Sequence, residues 1–236
     1  MPEPTYVLVP GAYHGAWCWR LVGEELDRRG VAWASLDLPS ATTGAHPETY
    51  LRDDAREVVA AATGLGPVVL VGHSYGGAVV AEAAPGLPDL EGLVYVAALV
   101  PEPGESAYEC VRRVPARTRL DEATRHEAGI LSLDPTLARD ALYADCDEAV
   151  AAWALANLST QTLASFRSPR TGAPVEVPST YVVCTLDASI DPLLQELLAA
   201  RCDEVVVLES GHCPMLSRAA SLVEAILTAP RSGSPS

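Results

Sequence analysis

The chain has 236 residues, enough for one domain with a sizeable core and room for an insertion. It carries 31 acidic against 16 basic residues, a formal net charge of −15 that argues against nucleic acid or an anionic membrane as partner. Six cysteines are dispersed without a C-x-x-C pair, which excludes zinc-type spacing and a disulfide framework and leads us to expect reduced thiols in a cytoplasmic protein.

The start, MPEPTYVLVPG, has no basic stretch and no long apolar segment, so neither a signal peptide nor a membrane span is expected. Residues 5–9 form a β-branched strand closed by Pro10-Gly11, and residues 17–29 carry apolar positions at helical spacing up to Gly30. Residues 31–38 alternate as a second strand. Residues 49–63 predict a helix with Leu51, Ala55, Val58, Val59 and Ala62 on its inner face. An apolar strand at 68–71, an Ala/Val-rich helix at 78–84 and a strand at 93–97 follow. Further strands at 180–184 and 205–208 are each followed by a helix, at about 191–201 and 216–228. This alternation predicts an α/β fold, a mostly parallel sheet of about six strands with helices on both faces. Residues 101–178 break the rhythm, with helical patches at about 119–130, 134–143 and 147–158 and no convincing strand. The predicted organisation is a core built from 1–100 and 179–229, a helical cap (lid) insertion at 101–178 and a disordered tail at 230–236. The alternative for 101–178 is simply more core helix.

Residues 67–77, PVVLVGHSYGG, place G-x-S-x-G between a buried strand and a helix. That context marks a strained turn that lifts the Ser74 hydroxyl above the sheet, with the Tyr75 amide at a helix N-terminus available to an oxyanion. A serine needs a neighbouring base, and the base an orienting carboxylate. Of the five histidines, His212 is the one after the elbow that follows a strand. His126 sits on a charged helical patch of the insertion, His73 points back into the structure and His46 lies in a loop. Asp187 and Asp191 both follow the strand at 180–184. Asp191 precedes Pro192 and an apolar helix, as an N-cap does, which leaves Asp187 as the better orienting carboxylate. A second oxyanion amide is expected from the loop Pro10–Gly15, with Ala12 as the candidate; the same glycines would also serve a tight turn.

With these residues assembled, the chain resembles the α/β-hydrolase superfamily, within it the group of plant methyl-salicylate and methyl-jasmonate esterases, hydroxynitrile lyases and small bacterial esterases. VLVPGAYHGAWCW resembles that group's first-strand segment, GHSYGG its elbow, YVAALVPEPGES its cap entrance and STQTLASF the cap exit of bacterial members. In the D-x-x-I-x-P acid segment, DASIDP fits with Asp187 as the acid, and GHCPMLS corresponds to the segment of the catalytic His, here His212. Pro10 stands where the group usually has His. The resemblance implies that hydroxynitrile lyases carry Thr and Lys at positions that are here Gly11 and Cys213, so the groups that handle a cyanohydrin and its cyanide are missing.

The expected activity is therefore a cofactor-free, metal-free serine esterase with the triad Ser74, Asp187 and His212 and an oxyanion hole at Ala12 and Tyr75. Gly11, Trp153 and Cys213 are expected at the substrate, with Tyr143 as a further apolar wall; Trp153 and Tyr143 could equally be lid core. The partner is a small-molecule ester, with a homodimer as the assembly to consider. Two other readings share this pocket: lyase or cyclase chemistry on a natural product, and a small-molecule-binding protein that retains the triad.

Overall fold

The computed structural model describes residues 3–115 and 117–232. β1 (Thr5–Val9) leads through a 3-10 turn into α1 (Arg20–Arg28), then β2 (Trp33–Ser35), α2 (Leu51–Ala62), β3 (Val68–His73), α3 (Gly76–Ala83) and β4 (Leu90–Val96). An inserted segment carries α4 (Ala107–Val111), α5 (Arg119–Ala123), β5 (Thr124–Glu127), β6 (Ile130–Leu133), α6 (Pro135–Leu142), α7 (Glu148–Ala156), β7 (Gln161–Thr162) and α8 (Leu163–Arg167). The core resumes with β8 (Ser179–Cys184), α9 (Pro192–Ala199), β9 (Glu204–Leu208), α10 (Pro214–Ser217) and α11 (Ala219–Thr228).

The main sheet has six parallel strands in the order β2-β1-β3-β4-β8-β9. Alternate strand residues feed two cores. Val7, Val9, Leu70, Tyr95 and Tyr181 join side chains of α2, α3 and α9, whereas Leu8, Val69, Val71, Val94 and Val182 join those of α1 and α11. Burial on both faces is why β3 reads as an unbroken apolar run instead of alternating.

Strand order reverses between β1 and β3: the chain leaves β1 toward β2 and leaves β3 toward β4, on opposite sides. Loops from the carboxyl ends of such neighbours diverge and open a crevice. The pairing of Val9 with Gly72 puts the loop after β1 beside the turn after β3 at that crevice.

Three expectations need correction. The strand predicted over 31–38 shrinks to Trp33–Ser35, because it is an edge strand whose one neighbour, β1, pairs with it only from Tyr6 to Leu8. The insertion is not all helical. The patch predicted over 119–130 is α5 followed by the hairpin β5–β6, and with β7 these strands form an antiparallel three-stranded sheet. Ala128 and Gly129, both at positive φ (48° and 82°), make the two-residue turn whose twist suits a hairpin. His126 consequently lies exposed on β5, not on a helix. Finally, the first part of the expected tail is tied to the core: Ser232 donates its amide to Glu91 O at 2.8 Å, and Arg231 pairs with Glu3. Residues 233–236 lie outside the described residues. Among the described residues, no helix is long and apolar enough to cross a membrane.

Candidate active site

Ser74 sits between β3 and α3 at φ +53°, a left-handed conformation that non-glycine residues seldom adopt. Three backbone hydrogen bonds hold it there: Ser74 N to Val96 O at 3.1 Å, and Leu99 N and Gly77 N to Ser74 O at 3.0 and 3.1 Å. The flanking glycines are required by close approach. A Cβ on Gly72 would lie 2.6 Å from Gly76 O, and one on Gly76 would lie 2.6 Å from Pro10 O. The turn thus packs directly against the loop after β1.

His212, in the loop after β9, brings Nε2 to 3.2 Å from Ser74 Oγ, and its Nδ1 lies 2.8 Å from Asp187 Oδ2. All three side chains are buried. Asp187 is held on every side. Its Oδ1 accepts from the Ser189 and Ile190 amides at 2.7 and 3.0 Å, and its Oδ2 accepts from Gln195 Nε2 at 2.9 Å as well as from the imidazole. A carboxylate so surrounded makes Nδ1 of His212 the protonated nitrogen and leaves Nε2 to accept from the serine. Asp191 stands apart from this relay. Its Oδ1 accepts from Leu193 N at 2.9 Å and caps α9, with Pro192 in the first turn.

Two further histidines support the site from below. His73 Nε2 donates to His212 O at 2.8 Å, and burial holds this imidazole well below its ordinary pKa, hence neutral. His14 is neutral for the same reason, pushed down to about 4. Its Nδ1 donates to Ala12 O at 2.8 Å, so its Nε2 must accept from Tyr143 OH, also at 2.8 Å. The loop carrying Ala12 is therefore pinned to the insertion through His14. Ser159 N donating to Tyr13 O at 2.9 Å is a second tie. Neither the Ala12 nor the Tyr75 amide donates to another backbone group outside the regular elements among the described residues. Asp145, from the loop before α7, accepts from Gly211 N at 2.8 Å and steadies the residue before His212.

A cavity of about 260 Å³ opens over Ser74 and His212. Its floor is Ala12, Tyr13, Leu99, Ser189 and Ile190; its walls come from the insertion, chiefly Val111, Leu120, Leu131, Leu142, Leu163 and Phe166. Asp121 is the one carboxylate among its lining residues, and none of them is Arg. The residues expected to touch substrate do not line it. Trp153 packs edge-on against Trp17 at 5.2 Å with the Arg20 guanidinium over its ring. The buried Cys213 thiol lies 3.8 Å from His14 Nε2. Gly11 is a packing position: a Cβ there would come within 2.8 Å of Ser74 Cβ. Tyr143 is buried against His14. The wall instead draws on α4 (Val111), α8 (Leu163, Phe166) and the hairpin (Leu131), segments outside the helical patches expected at 134–143 and 147–158. Among the described residues, no group of three or more His, Cys, Asp or Glu converges to hold a metal ion.

Residues 6–225 match the model of the alpha/beta hydrolase family. The chain belongs to that family. This alpha/beta hydrolase is 31% identical over 246 residues to an alpha/beta hydrolase of Aspergillus novofumigatus (strain IBT 16806), a match that covers 97% of each chain. It is 42% identical over 106 residues to an esterase of Oryza sativa subsp. japonica, covering 41% of this chain and 39% of the relative. Among solved structures, a pyrethroid hydrolase from Sphingobium faniae JZ-2 shares the fold with a TM-score of 0.80 at 23% identity, over 96% of both chains.

Proposed function

We propose that this alpha/beta hydrolase is a cofactor-free serine esterase that cleaves small, largely apolar carboxylic esters through an acyl-enzyme. The observation that carries the reading is the continuous relay Ser74 Oγ, His212 Nε2, His212 Nδ1, Asp187 Oδ2, at 3.2 and 2.8 Å, opening into an apolar cavity. Ser74 attacks the acyl carbon while His212 Nε2 takes its proton, and Asp187 stabilises the imidazolium that results. The Ala12 and Tyr75 amides receive the developing oxyanion, Ala12 from the loop fixed by His14 and Tyr75 from the start of α3. His212 returns the proton to the leaving alcohol, then activates water for deacylation. The inserted segment serves as the cap that closes the acyl site. A cavity of about 260 Å³ supports small substrates, and the lack of Arg on its walls favours neutral over anionic acyl groups.

The names of the relatives, an esterase and hydrolases, agree with this chemistry. Cyanohydrin cleavage finds no support at positions 11 and 213. Gly11 has no room for a hydroxyl-bearing side chain beside Ser74, and the neutral Cys213 thiol faces His14. The test is hydrolysis of a chromogenic aryl acetate alongside cyanide release from mandelonitrile, wild type against Ser74→Ala. Ser74-dependent ester hydrolysis with no cyanide above background is expected; the reverse pattern contradicts the proposal.

A further inference from the structure

A second buried polar network reaches Tyr75, the residue after Ser74, and the proposed relay does not use it. Asp54, on α2, is fully buried. Its Oδ1 accepts from Ser40 N at 2.9 Å, and its Oδ2 accepts from Ser40 Oγ at 2.5 Å and from Tyr75 OH at 2.7 Å. Since the Ser40 hydroxyl gives its proton to Asp54, it accepts from Gln161 Nε2 at 2.8 Å, and Gln161 in turn donates to Ser165 Oγ at 2.6 Å. Three donors thus converge on one carboxylate, with the insertion's β7 linked to it through Ser40 and α8 through Gln161 and Ser40. A charge with no solvent around it is retained only when paired or hydrogen-bonded in this way.

The donor that matters is Tyr75, the residue after Ser74. Its ring stacks on Phe166 with centroids 5.4 Å apart and planes 19° apart, and Phe166 lines the cavity. The ring is therefore fixed at its edge by Asp54 and at its face by the cavity wall, and its backbone amide is one of the two assigned to the oxyanion. We propose that Asp54 is a positioning residue, which by gripping the Tyr75 hydroxyl sets the aim of the Tyr75 amide at the oxyanion. This rests on the reading of Tyr75 as an oxyanion donor. Asp54 does not line the cavity, and its proposed effect on the oxyanion runs through Tyr75.

The consequence is specific to the transition state. Loosening Tyr75 weakens an interaction that forms only once charge develops on the acyl oxygen, so kcat falls while KM is held. With a neutral aryl acetate, Asp54→Asn and Tyr75→Phe should each lower kcat by about tenfold to a hundredfold, since small misplacements of an oxyanion donor have effects of that order. The double variant should be no slower than the slower single one, because both changes break one contact. An aryl trifluoromethyl ketone is the decisive probe: Ser74 Oγ adds to its carbonyl carbon, His212 takes the serine proton, and the carbonyl oxygen becomes an oxyanion. Its affinity should fall by the same factor as kcat, while that of the parent methyl ketone stays level. If both variants keep kcat and trifluoromethyl ketone affinity and show only a lower Tm, Asp54 is structural and the proposal is overturned. If Asp54→Asn does not fold, Tyr75→Phe, which keeps the ring and the Phe166 stack, decides by the same criteria. Absence of Ser74-dependent turnover in the wild type would instead overturn the esterase reading, and this inference with it.

Discussion

Asp187 reaches Ser74 through His212, and Asp54 reaches the next residue, Tyr75; both carboxylates are buried and filled with donors, yet they are built differently. Asp187 sits in the loop after β8 and takes two backbone amides, a glutamine and an imidazole. Asp54 sits within a helix and takes one backbone amide and two hydroxyls. In the proposed reaction the first faces a group that gains positive charge; the second faces two hydroxyls, and burial holds that of Tyr75 well above its ordinary pKa. Burial raises the Asp54 carboxyl to about 6, and its hydroxyl partners only partly offset that rise. The difference suggests what each can do: Asp187 changes the chemistry of its partner, whereas Asp54 can only fix where its partner stands.

Removing the charge from each sharpens that contrast. Asp187→Asn presents His212 with the wrong tautomer partner and should lower kcat by about 10⁴-fold, measured on an aryl ester with the folded state checked by circular dichroism. A loss no larger than that of Asp54→Asn would erase the distinction. Stability against pH separates them next. Asp54 keeps a proton in the folded state that the unfolded chain releases near 3.8, so its contribution to stability is full below that pH and lost as pH rises through about 6. His14 resists protonation, so its contribution is full above 6.5 and lost as pH falls through about 4. The two oppose each other on acidification. Tm should therefore fall more steeply in Asp54→Asn than in the wild type between about pH 7 and pH 4.5, because the variant lacks the offsetting carboxyl. Parallel falls would mean that Asp54 titrates as an ordinary exposed carboxylate. The smallest effect belongs to Asp191, whose side chain caps α9. Asp191→Ala should lower stability by about 1 kcal/mol in urea denaturation and leave kcat unchanged.

The residues that converge at the crevice are those whose backbone context is written locally. Gly72, Gly76 and the flanking strand and helix announce the turn at Ser74, and Pro192 after Asp191 separates a cap from an orienting carboxylate. Asp54 also leaves a trace: it stands three residues after Leu51 and four before Val58, on the inner stripe of α2, where a carboxylate requires partners. An apolar pattern passes over it because Ser40, Tyr75 and Gln161 are distant in sequence. His14 and Asp145 escape for the same reason, since their partners Tyr143 and Gly211 lie far along the chain, whereas Gln195 reads as one more position of the α9 helix. The insertion hides most. Its hairpin turns on Ala128-Gly129, a weaker signal than Asn-Gly, and its strands are four residues or fewer, too short for a period to emerge. Part of the cavity wall, at Thr124 and Leu131, comes from that hairpin.

The central claim is that Ser74 is an activated nucleophile. Its most direct test is reaction with a fluorophosphonate followed by peptide mapping. Labelling confined to the elbow peptide at Ser74, abolished in Ser74→Ala together with a loss of about 10⁴-fold or more in kcat, is the predicted result. Labelling at another serine, or undiminished ester hydrolysis in Ser74→Ala, would contradict the account.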